Sequence, residues 1–210
     1  MKTVSIVSLV CWVAACGGSS SPLDGTTLSG SAAFAVTSTV MVPGGLHCQA
    51  SGALSNGQFE ALTIVAADVD LETTSCTSGE YDIQTHGIEI EIATGSGYYG
   101  SGSSHPPIVA GMTFPILNEG VNDEDLCGNV AASTSGPQAL VMVSVCPGGS
   151  CNTQFAGSGT VTVTAVSATT IEGTFDVTLL DRDGNAEGAQ GALSGTFVAD
   201  ACSVGSGSGQ

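Results

Sequence analysis

Eight cysteines, three histidines and nineteen carboxylates are the groups of this 210-residue chain able to do chemistry. Cys11 and Cys16 lie close to the N-terminus; Cys48, Cys76, Cys127, Cys146, Cys151 and Cys202 are spread through the rest. An even set of six in an exported chain reads as three disulfides with fifteen possible connectivities. One pairing has a local argument. Cys146-Pro147-Gly148-Gly149-Ser150-Cys151 is a turn-forming stretch bounded by two cysteines, and a reversal there brings their Cα atoms within the roughly 4.4–6.8 Å that a disulfide spans. The competing use of cysteine is metal. His47 precedes Cys48, and His86 and His105 stand elsewhere, but no C-x-x-C or H-x-x-x-H spacing supports zinc.

The carboxylates suggest calcium, the hard cation that oxygen-rich loops hold. Asp181, Asp183, Asn185 and Glu187 place oxygen ligands at alternate positions around Gly184. This departs from the EF-hand pattern, because the Gly comes early and Ala192 replaces the closing acid. A hairpin loop turning at Asp183-Gly184 explains the same residues. Asp68-x-Asp70-x-Glu72 and Asn122-Asp123-Glu124-Asp125 are further oxygen-rich stretches that read better as solvated loops than as calcium sites.

Enzymatic patterns are thin. No G-x-S-x-G elbow accompanies any His. A glycosidase pair is not specified by an excess of acids, and aromatics that would carry sugar make up only 5% of the chain. No phosphate-binding G-x-x-x-x-G-K-[ST] loop occurs. The residues point to a non-enzymatic protein with no assigned catalytic residue.

The N-terminus carries an address. Lys2 is followed by an apolar run from Val4 to Ala15, with the charge, length and small-residue exit of a secretory signal. The run is too short for a spanning helix, which needs about 20 apolar residues. Val13-Ala14-Ala15-Cys16 resembles the lipobox of bacterial lipoproteins. That resemblance implies cleavage before Cys16 and a diacylglycerol on its thiol. Gly17, standing where an Asp would favour inner-membrane retention in that family, implies the outer membrane. Gly17 to Pro22 has the composition of a flexible tether. The expected organisation is a signal over 1–15, lipidated Cys and tether over 16–30, a β domain over 31–203 and a tail over 204–210.

With Lys2 removed, Arg182 is the one cation against nineteen acids, a net charge of −18. Nucleic acid is excluded as a partner, since phosphates must be neutralised by Lys and Arg. Attachment to anionic lipid through a basic patch is excluded on the same ground. The membrane is expected as a partner only through the lipid. A protein or glycan ligand is left open, and the Gly/Ser-rich stretch around Tyr98-Tyr99 has the composition of a contact loop.

The elements that must position these groups are strands. Period-two alternation places Val161, Val163 and Ala165 on one face, as it does Ile171, Phe175, Val177 and Leu179, and Leu193, Phe197 and Ala199. It does the same for Ile88, Ile90 and Ile92, and for Phe34, Val36, Val40 and Val42. Apolar runs at Leu62–Val69, Ile108–Leu117 and Ala139–Val145 complete eight or nine strands without a helix. Pro115 marks an edge or bulge. A single sheet would leave its apolar face wet, so an antiparallel β-sandwich is expected, with a β-barrel as the alternative.

Ile171-Glu172-Gly173-Thr174-Phe175 and Leu193-Ser194-Gly195-Thr196-Phe197 repeat one pattern across a turn-rich segment, which predicts an antiparallel hairpin. With Gly159-Thr160-Val161 before it and Cys202 after it, this half resembles uncharacterised lipoproteins of Gram-negative soil bacteria that end in such a hairpin and a final Cys. The resemblance implies the fold and the anchor and supplies no activity. The expected function is a cell-envelope lipoprotein with a structural or binding role; the alternatives are a calcium-stabilised adhesion or carbohydrate-binding module and, last, a hydrolase.

Overall fold

The computed structural model describes residues 25–43, 59–71, 86–94, 106–117, 136–145, 152–180 and 191–201. All eight cysteines, the signal region, Tyr98-Tyr99 and the candidate calcium ligands Asp181, Asp183, Asn185 and Glu187 lie outside these residues. So do Glu72, His47, His105 and the stretch Asn122–Asp125.

Nine strands follow one another: β1 (Thr27–Gly30), β2 (Ser38–Pro43), β3 (Ala61–Ala67), β4 (Gly87–Ala93), β5 (Thr113–Pro115), β6 (Gln138–Val145), β7 (Asn152–Val166), β8 (Thr170–Leu180) and β9 (Gly191–Ala201). The described residues are all-β, as expected. Of the two closures open to such strands, the chain takes the barrel: β9-β2-β3-β4-β6-β7-β8 return to β9 in one closed seven-strand sheet. Two packed sheets do not form, because each strand of this ring finds a partner on both edges. Full closure also removes the free sheet edges that a sandwich keeps.

The two remaining strands fill steps left by the stagger. On one edge of β7, β6 pairs with residues 152–155 and β5 pairs with 160–162. On one edge of β9, β1 pairs with 193–196 and β2 with 200–201. The β2–β9 contact, Val40 opposite Asp200 and Met41 opposite Ala201, is the one parallel pairing between these strands, the other parallel contact being an isolated bridge of Ile116 to Ala139. It closes the barrel between the N-terminal and C-terminal parts of the described chain.

One hydroxyl secures that seam. Thr26 Oγ1 donates to the carbonyl of Val198 (3.3 Å) and accepts from the Val198 N–H (3.1 Å) and from Thr39 Oγ1 (2.9 Å). One donor and two lone pairs are thereby all used, and the side chain stands in for strand pairing that β2 does not supply at Val198. Residues 26–30, read from sequence as tether, belong to the barrel. Apolar spacing gave no signal for so short and exposed a strand.

The interior is filled by side chains. Phe114, Phe197, Met41, Leu62, Ile64, Ile88, Ile90, Ile92, Ile171, Leu179 and Leu193 are essentially without exposure and belong to one cluster. Small barrels of about eight strands have an interior that side chains can fill, and this one is packed as a core. The alternation read in β4, β8 and β9 points the expected residues inward, as it does Val161 and Val163 of β7; Ala165 does not follow, because a bulge after Val163 turns it outward opposite Glu172 and brings Val166 onto the core.

Three further sequence expectations are corrected. Along Phe34–Val42 the phase slips: Phe34 and Val36 pack against the core, whereas Met41 then points inward and Val40 outward, into a small cluster with Val65, Ala67 and Leu71. The slip falls just before β2, where Thr37 and Ser38 hydrogen-bond backbone carbonyls of residues 68 and 69. Second, β4, whose alternation predicts one buried and one wet face, is buried on both, as are its neighbours β3 and β6, whose sequences are continuous apolar runs. Thr63, Val65, Glu89, Leu140 and Gln138 point outward from the barrel and are nevertheless buried. Ile108–Leu117 also contributes only the short β5, with Pro115 at its end; before it Ile108 is bonded to the Phe59 carbonyl and Gly111 to that of Val163, and after it Ile116 and Leu117 are bonded to the carbonyls of Gly159 and Ala139.

Candidate functional site

The antiparallel register of β3 and β4 sets Ala67 opposite Gly87, so the next residues outward, Asp68 and His86, meet at one rim of the barrel. The Asp68 N–H donates to the His86 carbonyl (3.2 Å), and the side chains meet at 3.0 Å between Asp68 Oδ2 and His86 Nδ1. The ring of Phe34 lies against the imidazole, with centroids 5.9 Å apart. Each side chain of the pair is one-third exposed. Asp68 Oδ1, the second carboxylate oxygen, is shielded from solvent and accepts no hydrogen bond among the described residues.

Eighteen residues separate the two groups in sequence, and no spacing rule connects them. In sequence Asp68 belongs to an oxygen-rich stretch and His86 stands apart from it; the strand register unites them.

A carboxylate on Nδ1 fixes the imidazole tautomer and leaves Nε2 as an acceptor, the arrangement that orients a base or a metal-binding His. A triad would also need a nucleophile on the far nitrogen. The nearby hydroxyls are engaged otherwise: Thr37 Oγ1 donates to the Asp68 carbonyl, and Ser38 Oγ donates to the Val69 carbonyl while accepting the Leu71 N–H. Among the described residues no hydroxyl is hydrogen-bonded to His86, and no group of three metal-ligating side chains occurs.

The outer wall is chemically distinct from this rim. Thr113, Thr162, Thr174, Thr196 and Thr27 stand in register on β5, β7, β8, β9 and β1. They form a rank of five threonines at right angles to the strands, spaced by the roughly 4.8 Å between neighbouring strands. Hydroxyls bond to one another at both ends, Thr27 to Thr196 at 2.9 Å and Thr113 to Thr162 at 3.2 Å. The adjoining row is Thr160, Asp176, Ser194 and Ser29. Each residue of the rank is a strand residue whose neighbours face the core, so the period-two pattern that fills the barrel also builds its hydroxyl surface. Sequence showed the alternation but not the alignment, which depends on the register of four strand pairs.

A membrane-spanning barrel has the opposite polarity, apolar outside and polar within. Here the hydroxyls and carboxylates of β7, β8 and β9 face out and Phe and Ile face in. No helix of the described residues is long and apolar enough to cross a membrane.

No protein-family model, curated protein or solved structure matches the chain.

Proposed function

We propose that this chain is an exported, lipid-anchored protein of the cell envelope whose barrel serves a non-enzymatic structural or binding role through its outer surface. The observation that carries this reading is the barrel itself: its lumen is occupied by Phe, Ile, Leu and Met, and its exposed strands present hydroxyls and carboxylates. A filled lumen offers a ligand no internal chamber of the kind larger or emptier barrels use. Recognition then falls to the outer wall and the rims.

The lipid anchor is supported by Val13-Ala14-Ala15-Cys16 and the Gly/Ser stretch behind it. Export also gives the six remaining cysteines an oxidising compartment in which to pair. Gly17 supports delivery to the outer membrane. The partner on the outer surface is a protein or glycan of neutral or positive character, because the acidic chain repels anions.

Mass spectrometry of the native, non-reduced protein tests the reading. A mature chain beginning at Cys16 with added diacylglycerol mass, and six thiols blocked to alkylation, is the expected result. A chain that keeps Met1-Lys2, or that starts elsewhere without lipid, overturns the anchor; six free thiols in the folded protein overturn the oxidised domain.

A further inference from the structure

The outward faces of the barrel are of two kinds. On β8 every outward residue from Glu172 to Thr178 is exposed. On β3, β4 and β6 the outward Thr63, Val65, Glu89 and Leu140 are each at most 5% exposed, and Phe155, opposite the outward Met142, is buried as well. All nine described strands belong to one sheet, so none of them forms a second layer over that wall. Apolar side chains leave water only when something covers them, and the burial of Val65 and Leu140 calls for a cover that the strands do not supply.

One described residue outside the strands reaches this wall. β3 ends at Ala67, opposite Ser38, and the chain then turns outward over β2: Thr37 Oγ1 donates to the Asp68 carbonyl and Ser38 Oγ to that of Val69. Leu71 N–H donates to Ser38 Oγ (2.8 Å), and the Leu71 side chain packs with Val40 and Val65. Those two are the next outward pair along the strands from Ser38 and Ala67. The chain has therefore left the His86 rim and started along the wall. Among the described residues, Leu71 is the one member of this outer cluster that is not in a strand. None of the residues flanking 44–58, 95–105 or 118–135 joins it.

We infer that residues 72–85 continue from Leu71 as a second layer over β3, β4 and β6, leaving the wall that carries the threonine rank as the face open to a partner. The placement of 72–85 is independent of the binding role proposed above; its consequence for recognition rests on that role. The length of the connection fits. β3 and β4 are hydrogen-bonded neighbours with Ala67 opposite Gly87, and a loop of about 2–5 residues is enough to join such strands. This chain spends nineteen residues, 68–86. The fourteen beyond Leu71 reach up to about 46 Å when extended. From β3, β6 stands two strand spacings away, roughly 10 Å, so the segment can cross the wall and return to His86. Its largest apolar groups, Tyr81 and Ile83, stand on either side of Asp82, and an extended chain turns both to one face.

The test is methyl NMR of the native, non-reduced protein labelled at Ile, Leu, Val and Met methyls and at Tyr rings. Cross-peaks from the Ile83 methyls or the Tyr81 ring to methyls of Val65, Leu140 or Met142 are the expected result. Each other long connection has its own reporters: Leu46 and Leu54 in 44–58, Tyr98 and Tyr99 in 95–105, and Val121, Leu126 and Val130 in 118–135. Wall cross-peaks to those groups with none to Ile83 or Tyr81 overturn the inference. So do cross-peaks that isotope filtering assigns to a second copy, or no cross-peak at all. Leu71→Asp, which removes the seat, is expected to abolish the Ile83 and Tyr81 cross-peaks and to keep the one between Ile90 and Val141 inside the barrel. Lipidation and partner binding do not enter this readout, so its failure leaves the proposed function standing.

Discussion

The ring of Phe197 covers the bare Cα of Gly173 on the neighbouring strand, and the relationship is reciprocal, since Phe175 covers Gly195. The repeated Gly-Thr-Phe triplet is thereby explained. Each Gly removes the Cβ that would collide with the partner's aromatic ring, each Phe fills the space so opened, and each Thr between them faces out into the rank. Aromatic cover of a cross-strand glycine also pins register, because a one-residue slip of either strand would turn its Phe to the solvent and break both Gly–Phe contacts.

Gly173→Ala is therefore expected to destabilise the barrel by about 2–3 kcal/mol, the cost of overpacking a filled site. A Cβ there meets both the Phe197 ring and the Thr162 carbonyl, and the second is backbone and cannot yield. A thermal melt should show a drop of roughly 4–12 °C for a chain of this size. An unchanged melting temperature would mean that the two strands do not approach as described.

Thr26→Val is expected to cost about 1–3 kcal/mol, because the Val198 N–H and the Thr39 hydroxyl lose their partner while the shape is conserved. Thr26→Ser keeps the oxygen and should retain most of the stability. Chemical denaturation of the three proteins separates these outcomes; equal midpoints for Val and Ser would show that the hydroxyl does not hold the seam.

Gln138→Met should raise stability by about 1–2 kcal/mol. Gln138 is 7% exposed, and among the described residues neither its amide nitrogen nor its amide oxygen has a hydrogen-bond partner. Burying an unpartnered amide costs about 1–3 kcal/mol by mutational measures, and Met has nearly the same shape without the polar atoms. A lower denaturation midpoint for the Met variant would indicate that the amide is satisfied in solution.

The His86–Asp68 contact should be weak in energy. Both side chains are one-third exposed, and exposed ionic pairs contribute about 0.2–1 kcal/mol. A double-mutant cycle with His86→Ala and Asp68→Ala is expected to give a coupling in that range that shrinks with added salt. Coupling of several kcal/mol, insensitive to salt, would show a buried pair and a different rim.

The amino-acid sequence by itself determined the class of structure and much of its inward face. Alternation in β4, β8 and β9 follows from the pleat, which turns successive side chains to opposite sides, and Ile88 to Ile92, Ile171 to Leu179 and Leu193 to Ala199 obey it without knowledge of any partner. The hairpin of β8 and β9 was legible for the same reason, being local. Tertiary structure alone decided what depends on distant pairing. Barrel closure rests on β2 meeting β9 across 160 residues, the threonine rank on four independent registers, the His86–Asp68 contact on the register of one long connection, and the recruitment of Thr27–Gly30 on an edge that exists only once β9 is in place. Pleat is a property of each strand, whereas register and closure are properties of pairs, and a pattern of period two is satisfied by many pairings until the packed core selects one.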